Sequence, residues 1–165
     1  MAKWLSLSAL IVILDQITKY VAVQSLAAGK AVAVTPFFNL VLVYNPGAAF
    51  SFLSDAAGWQ RWLFIAIALI ASAWIIRLLN EYPRQTLFSL ALSLVLAGAV
   101  GNVIDRIFFG AVVDFLDFHA FGWHWPAFNV ADSAISCGAV LLVWDALRPR
   151  KTQTPEPQIN ADKRR

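Results

Sequence analysis

Three runs of residues decide how this chain is read: AGAVGNVIDR at 97–106, GAVVDF at 110–115 and FNVADSAIS at 128–136. They join the tail of one apolar segment, a short polar excursion and the head of the next apolar segment. Asn102-Val-Ile-Asp105 and Asn129-Val-Ala-Asp132 repeat one Asn-x-x-Asp spacing, with Asp114 between them. Residues three apart share a helix face, so each copy is expected to point an amide and a carboxylate the same way. Carboxylates at the ends of hydrophobic helices are costly, and those that occur usually face a cavity and do a job.

Composition gives this stretch its setting. The chain has 165 residues, 59% hydrophobic and only 14% charged, with a mean hydropathy of +0.65. A soluble domain is about one quarter charged. Seven Trp suit a protein with membrane–water interfaces. The single cysteine, Cys137, excludes an internal disulfide framework, and its apolar neighbours suggest a small buried hydrophobe. Six of the thirteen Lys and Arg lie between Arg148 and Arg165, and the rest are scattered. That distribution reads as membrane topology and argues against nucleic-acid binding.

Four spans are expected, at about 5–26, 60–79, 86–105 and 127–147, forming one membrane domain over residues 1–147. Lys3 and LSLSALIVIL could open a cleaved leader. Asp15-Gln-Ile-Thr-Lys19 follows directly, however, and the chain stays apolar to Leu26. Those 22 residues reach about 33 Å, enough to cross a hydrocarbon core, so the reading is a retained first helix. Asp15 and Lys19 are four apart and can pair. Residues 30–58 break the pattern: FFNLVLVY reads as strand, and Asn45-Pro46-Gly47 as a turn. Open strands cannot face lipid, so this segment is expected to be a small sheet or re-entrant element on the outer surface. In the third helix, Ser89, Ser93, Ala97 and Gly101 recur every four positions, a small-residue stripe that permits close helix packing. Residues 107–126 read as a loop with interfacial aromatics. A fourth helix begining near Ala127 would put Asp132 about 7.5 Å inside it. The tail, 148–165, is expected to be disordered and cytoplasmic. The fold class is therefore an all-α, four-helix membrane bundle with a small extracytoplasmic β-sheet.

Charge sets the expected orientation. Lys3, Arg77, Arg84 and the six tail cations share one side of a four-span chain; Lys19, Lys30, Arg61 and Arg106 lie toward the other. The positive-inside rule then puts both termini in the cytoplasm and Asp105, Asp114 and Asp132 at the outer face. Two carboxylates within hydrogen-bonding reach share a proton, so one can act as base on water and the other as acid toward a carbonyl. The partner of Asp132 could be Asp105 or Asp114. Arg106 beside Asp105 favours a permanently ionised, structural carboxylate there, so the residues lean to Asp114. His119 and His124 lack further ligands at metal spacing, and Ser133 and Ser136 suit packing or capping, since no nucleophile motif surrounds them.

DQITK at 15–19, NPGAAF at 45–50, GNVIDR at 101–106, VVDF at 112–115 and FNVADS at 128–133 together resemble the motif set of the bacterial lipoprotein signal peptidase family, signal peptidase II. Any one motif is weak, but all five occur in the family's order and the likeness spans nearly the whole chain except the tail. The resemblance implies an intramembrane aspartyl endopeptidase of the bacterial inner membrane. It would cut prolipoproteins before a diacylglyceryl-cysteine, need no cofactor or metal, and be inhibited by globomycin. The resemblance carries the catalytic pair onto Asp114 and Asp132. Asn45, Gly47, Asn102, Asp105, Arg106 and Asn129 would line or support the site, and Asp15 and Lys19 would be structural. Pro46 stands where the family commonly has Thr or Ser, and Ala97 where it often has Gly. The competing readings are a small proton-coupled transporter or channel using the acids as a relay, and a scaffold. Transporter sites tend to lie at the midplane on broken helices, whereas these acids cluster at the ends of continuous ones.

Overall fold

The computed structural model describes residues 1–47 and 58–148. Residues 48–57 of the outer-face segment and residues 149–165 of the expected disordered tail lie outside them. Among the described residues, four helices are long and apolar enough to cross a membrane: α1 Ala2–Ser25, α2 Trp59–Glu81, α3 Thr86–Phe108 and α4 Val130–Leu147. Their apolar side chains face outward as well as inward: Ile13, Ile70, Trp74 and Val140 are more than half exposed. A helix apolar on all sides suits hydrocarbon, where backbone groups must be satisfied within the helix. Cys137 is a correction: it sits exposed on α4, on this outward surface, and is not a buried hydrophobe.

α3 is the central helix and packs against the other three. Its small-residue stripe is the reason. Ser89, Ser93 and Ala97 are fully or almost fully buried; the Ser93 hydroxyl donates to the Ser89 carbonyl at 2.7 Å, and the Ser8 hydroxyl of α1 donates to the Ser93 carbonyl at 2.9 Å. One position further round, Gly98 lets the Ala131 carbonyl of α4 press directly on α3, and a Cβ at Gly98 would collide with that carbonyl and with Ile135. Gly98→Val is therefore expected to separate the two helix ends and destabilise the fold by about 1–3 kcal/mol or more. The check is a lower thermal midpoint in detergent; an unchanged midpoint would refute this account of the crossing. At the other end Trp4, Ile75, Leu79, Leu92 and Leu96 form an apolar cluster, and Trp4 donates its indole N–H to the Pro83 carbonyl at 3.1 Å.

Among the described residues the sheet has four antiparallel strands in the order β1 Val32–Thr35, β2 Phe38–Asn45, β3 Val112–Ala120, β4 Trp123–His124. The first pair matches the expected strand region. β3 and β4 correct the reading of 107–126 as loop. The first half of β3 is buried on both faces, which erases the alternation that marks a half-buried strand, and Asp114 and Asp117 interrupt its apolar run. α4 is a second correction. It starts at Val130, with Asn129 as N-cap, because residues 127–129 are held elsewhere: Phe128 forms a bridge to Leu116 of β3. Asp132 thus lies in the first turn of α4, not further inside.

Candidate active site

The Phe128–Leu116 bridge brings the middle of β3 to the start of α4. Asp114 lies two residues before Leu116, directly opposite Val43 of β2. Asn45, two residues beyond Val43, projects from the same face as a diagonal neighbour. Its Nδ2 donates to Asp114 Oδ2 at 3.0 Å. Gly47, in the left-handed half of φ space at +110°, turns its N–H back onto Asn45 Oδ1 at 2.9 Å. A backbone N–H only donates, so that contact leaves the amide's NH2 end for Asp114.

Asn129 works in the same way. Its Oδ1 accepts the Asp132 N–H at 2.9 Å, the usual N-cap bond. Its Nδ2 then donates to Asp114 Oδ1 at 2.7 Å. Asn102 completes the line: its Nδ2 donates to Asp132 Oδ1 at 2.7 Å, and its Oδ1 lies 3.4 Å from Asn129 Nδ2. Asp114 and Asp132 are therefore joined through two asparagine amides. The Asn-x-x-Asp repeat does two different jobs. In α3, Asn102 and Asp105 lie on successive turns; in α4, Asn129 is the cap and Asp132 the residue it caps.

Asp114 is only 1% exposed. Burial pushes its carboxyl up from the ordinary 3.8 to about 7. The amide donors of Asn45 and Asn129 oppose that rise, and the nearby charge of Asp132 adds to it. Asp132 is partly accessible. The two acids thus have unequal surroundings, one sheltered and one open.

Behind them lies a buried ion cluster. Lys19 Nζ is 2.9 Å from Asp15 Oδ2 and 2.8 Å from Asp105 Oδ2, with all three side chains nearly inaccessible. The counter-ion of Asp105 is therefore Lys19, not the adjacent Arg106 suggested by the sequence. Asp105 Oδ2 also accepts the Val113 N–H at 3.0 Å, and Asp15 Oδ1 the Ala131 N–H at 2.8 Å. Arg106 is directed elsewhere: its Nη1 donates to the Asn102 carbonyl at 3.3 Å, and its guanidinium lies 5.1 Å from the Phe64 ring. Its buried Nε has no hydrogen-bond partner among the described residues.

The match to known proteins decides the family. The family model described as signal peptidase (SPase) II matches residues 7–148. The chain belongs to the signal peptidase II family. It is thus a peptidase, with four membrane-spanning-capable helices among its described residues. It is 55% identical to a lipoprotein signal peptidase of Burkholderia mallei (strain SAVP1), across 90% of this chain and 89% of that one. Identity to the lipoprotein signal peptidase of Burkholderia vietnamiensis (strain G4 / LMG 22486) is 56% over the same shares. Two solved structures, both described as bacterial membrane enzymes, superpose with TM-scores of 0.81 and 0.79 at 31% and 33% identity. They cover 94% and 90% of this chain, respectively, and 94% of each neighbour.

The motifs of this signal peptidase II chain thus sort into two groups. Asn45, Asn102, Asp114, Asn129 and Asp132 meet in one hydrogen-bonded line, with Gly47 orienting Asn45. Asp15, Lys19 and Asp105 form the cluster behind. Gln16 was missed by sequence reasoning. Its Nε2 reaches Asp105 Oδ1 at 3.0 Å, Asp15 Oδ2 at 3.2 Å and the Gly101 carbonyl at 3.3 Å; only its place inside DQITK could have flagged it. His124 pairs with Asp117 at 2.9 Å and stacks on His119 with ring centroids 5.0 Å apart. Burial alone would raise the Asp117 carboxyl, but Asn39 and His124 outweigh it and hold the group below its ordinary value. Ser133 bonds back along its own helix, its hydroxyl donating to the Asn129 carbonyl at 2.9 Å, and does not cap. Ala97 and Pro46, the two departures, do not touch the acids in any contact described.

Proposed function

We propose that this chain removes the signal peptide from diacylglyceryl-modified prolipoproteins, cleaving before the lipidated cysteine, with Asp114 and Asp132 activating water. The observation that carries the reading is the amide-linked pair of acids in unequal environments. Asp114, raised to about 7, holds the shared proton and offers it to the scissile carbonyl oxygen. Asp132, nearer to solvent, takes a proton from water as its oxygen attacks the carbonyl carbon. In the second half the tetrahedral carbon expels the amine, which takes the proton from Asp132, and the diol returns a proton to Asp114. Both acids end as they began. Arg106, with its open Nε, and the amides of Asn45, Asn102 and Asn129 orient the substrate backbone and the pair.

The cation distribution supports an orientation with both termini in the cytoplasm and the acids at the outer face of the bacterial inner membrane. The sheet would then cradle the substrate from outside while the signal peptide and the lipid chains remain in the bilayer. Globomycin would occupy the same site. The test is cleavage of a prolipoprotein by the enzyme reconstituted in lipid, before and after diacylglyceryl transfer to the substrate. Cleavage of the lipidated form alone, blocked by globomycin, is expected. Equal cleavage of the unlipidated precursor would remove the lipid requirement, and cleavage of neither would sink the reading.

A further inference from the structure

Lys19 does more than neutralise acids. An ammonium has three N–H donors, and all three find acceptors here: Asp15 Oδ2 at 2.9 Å, Asp105 Oδ2 at 2.8 Å and Asn102 Oδ1 at 3.1 Å. Two carboxylates already exceed one cation in charge, so the third bond adds nothing to charge balance. Its consequence is geometric. Because Lys19 can only donate, the oxygen end of Asn102 must face it, and the NH2 end must face Asp132, where it donates at 2.7 Å. With the amide reversed, its NH2 would meet the ammonium, donor against donor.

The two carboxylates carry the same control further. Asp105 accepts the N–H of Val113, the residue before Asp114, and Asp15 accepts the N–H of Ala131, the residue before Asp132. One ammonium therefore holds three arms: one on the backbone beside each acid and one on the side chain that donates to Asp132. Gln16, bonded to both Asp15 and Asp105, keeps the two carboxylate arms together. The chain distance spanned is large, since Lys19 and Asn102 are 83 residues apart.

We infer that Lys19 is a positioning residue that sets the mutual geometry of Asp114 and Asp132, acting through Asn102 and the two backbone clamps. The inference rests on the reading of those acids as the reacting pair. Displacing reacting groups by about 1 Å costs on the order of 100-fold in rate. Lys19→Met keeps the length of the side chain and removes its donors. In reconstituted enzyme, kcat per folded molecule is expected to fall about 100-fold with KM changed less than about threefold. A purely structural role would lower the folded fraction and leave kcat per folded molecule intact.

Lys19→Met leaves two buried carboxylates without a counter-ion. If it does not fold, the triple variant Lys19→Met, Asp15→Asn, Asp105→Asn decides the matter. That variant buries no charge in the cluster and keeps a carbonyl for each backbone clamp, yet takes the ammonium donor from Asn102. Its kcat is expected to fall by a similar factor, with the folded fraction preserved. A folded variant of either kind with kcat within about threefold of the parent would overturn the inference. Failure of the acid pair itself reads differently, as cleavage retained when Asp114 or Asp132 is replaced with Lys19 intact.

Discussion

Asp114→Asn is expected to lower prolipoprotein cleavage by about 10³–10⁴-fold while the protein still folds and inserts. An amide has almost the shape of a carboxylic acid but no acidic proton to give to the carbonyl. It also fits its neighbours less well, because Asn45 and Asn129 both present NH2 groups to Asp114, and an amide can accept from only one of them. The accompanying pH effect has a definite sign. With the native carboxyl raised to about 7, the folded state holds this proton more tightly than the unfolded chain does. The contribution of Asp114 to stability is therefore greatest below its ordinary 3.8 and is lost as pH rises through about 7. Parent activity should fall as pH rises through the same range, as the proton is lost. The Asn variant should lack that stability loss, which thermal midpoints at pH 5 and pH 8 would reveal. Near-normal cleavage by the variant would remove Asp114 from the mechanism.

Asp132→Asn is expected to cost a similar factor for a different reason. The lost function is the base, so water is no longer deprotonated as it attacks. The helix start should survive, since the cap bond uses the backbone N–H of residue 132 and the oxygen of Asn129, neither of which changes. The new amide can turn its oxygen toward Asn102 and keep that contact. Single-turnover cleavage measured beside helicity by circular dichroism separates the two effects: full helicity with lost cleavage is the expected pair. Retained cleavage would contradict the base assignment.

Lys19 would differ from both replacements in kind. It touches neither acid, and its effect travels through Asn102 and two backbone N–H groups. That route would explain why a cation on the first helix serves a site built by the third and fourth helices and the strands β2 and β3.

What the sequence determined by itself follows from the solvent. Hydrocarbon demands about twenty apolar residues per crossing, so α1 to α4 were legible from runs of Leu, Ile, Ala and Val, and the acids at their ends stood out against that background. The five motifs were legible for the same reason, since polar residues are rare in such a chain. Only the tertiary structure revealed β3, whose buried faces lack alternation, and the true start of α4, delayed because Phe128 pairs with Leu116. It also decided that Lys19, not Arg106, answers Asp105, and which way each asparagine turns. Those outcomes depend on which donor lies across a gap of up to 116 residues of chain, as for Ala131 and Asp15. A hydrogen bond forms only at short range and favourable angle, and no local pattern records which distant group will arrive there.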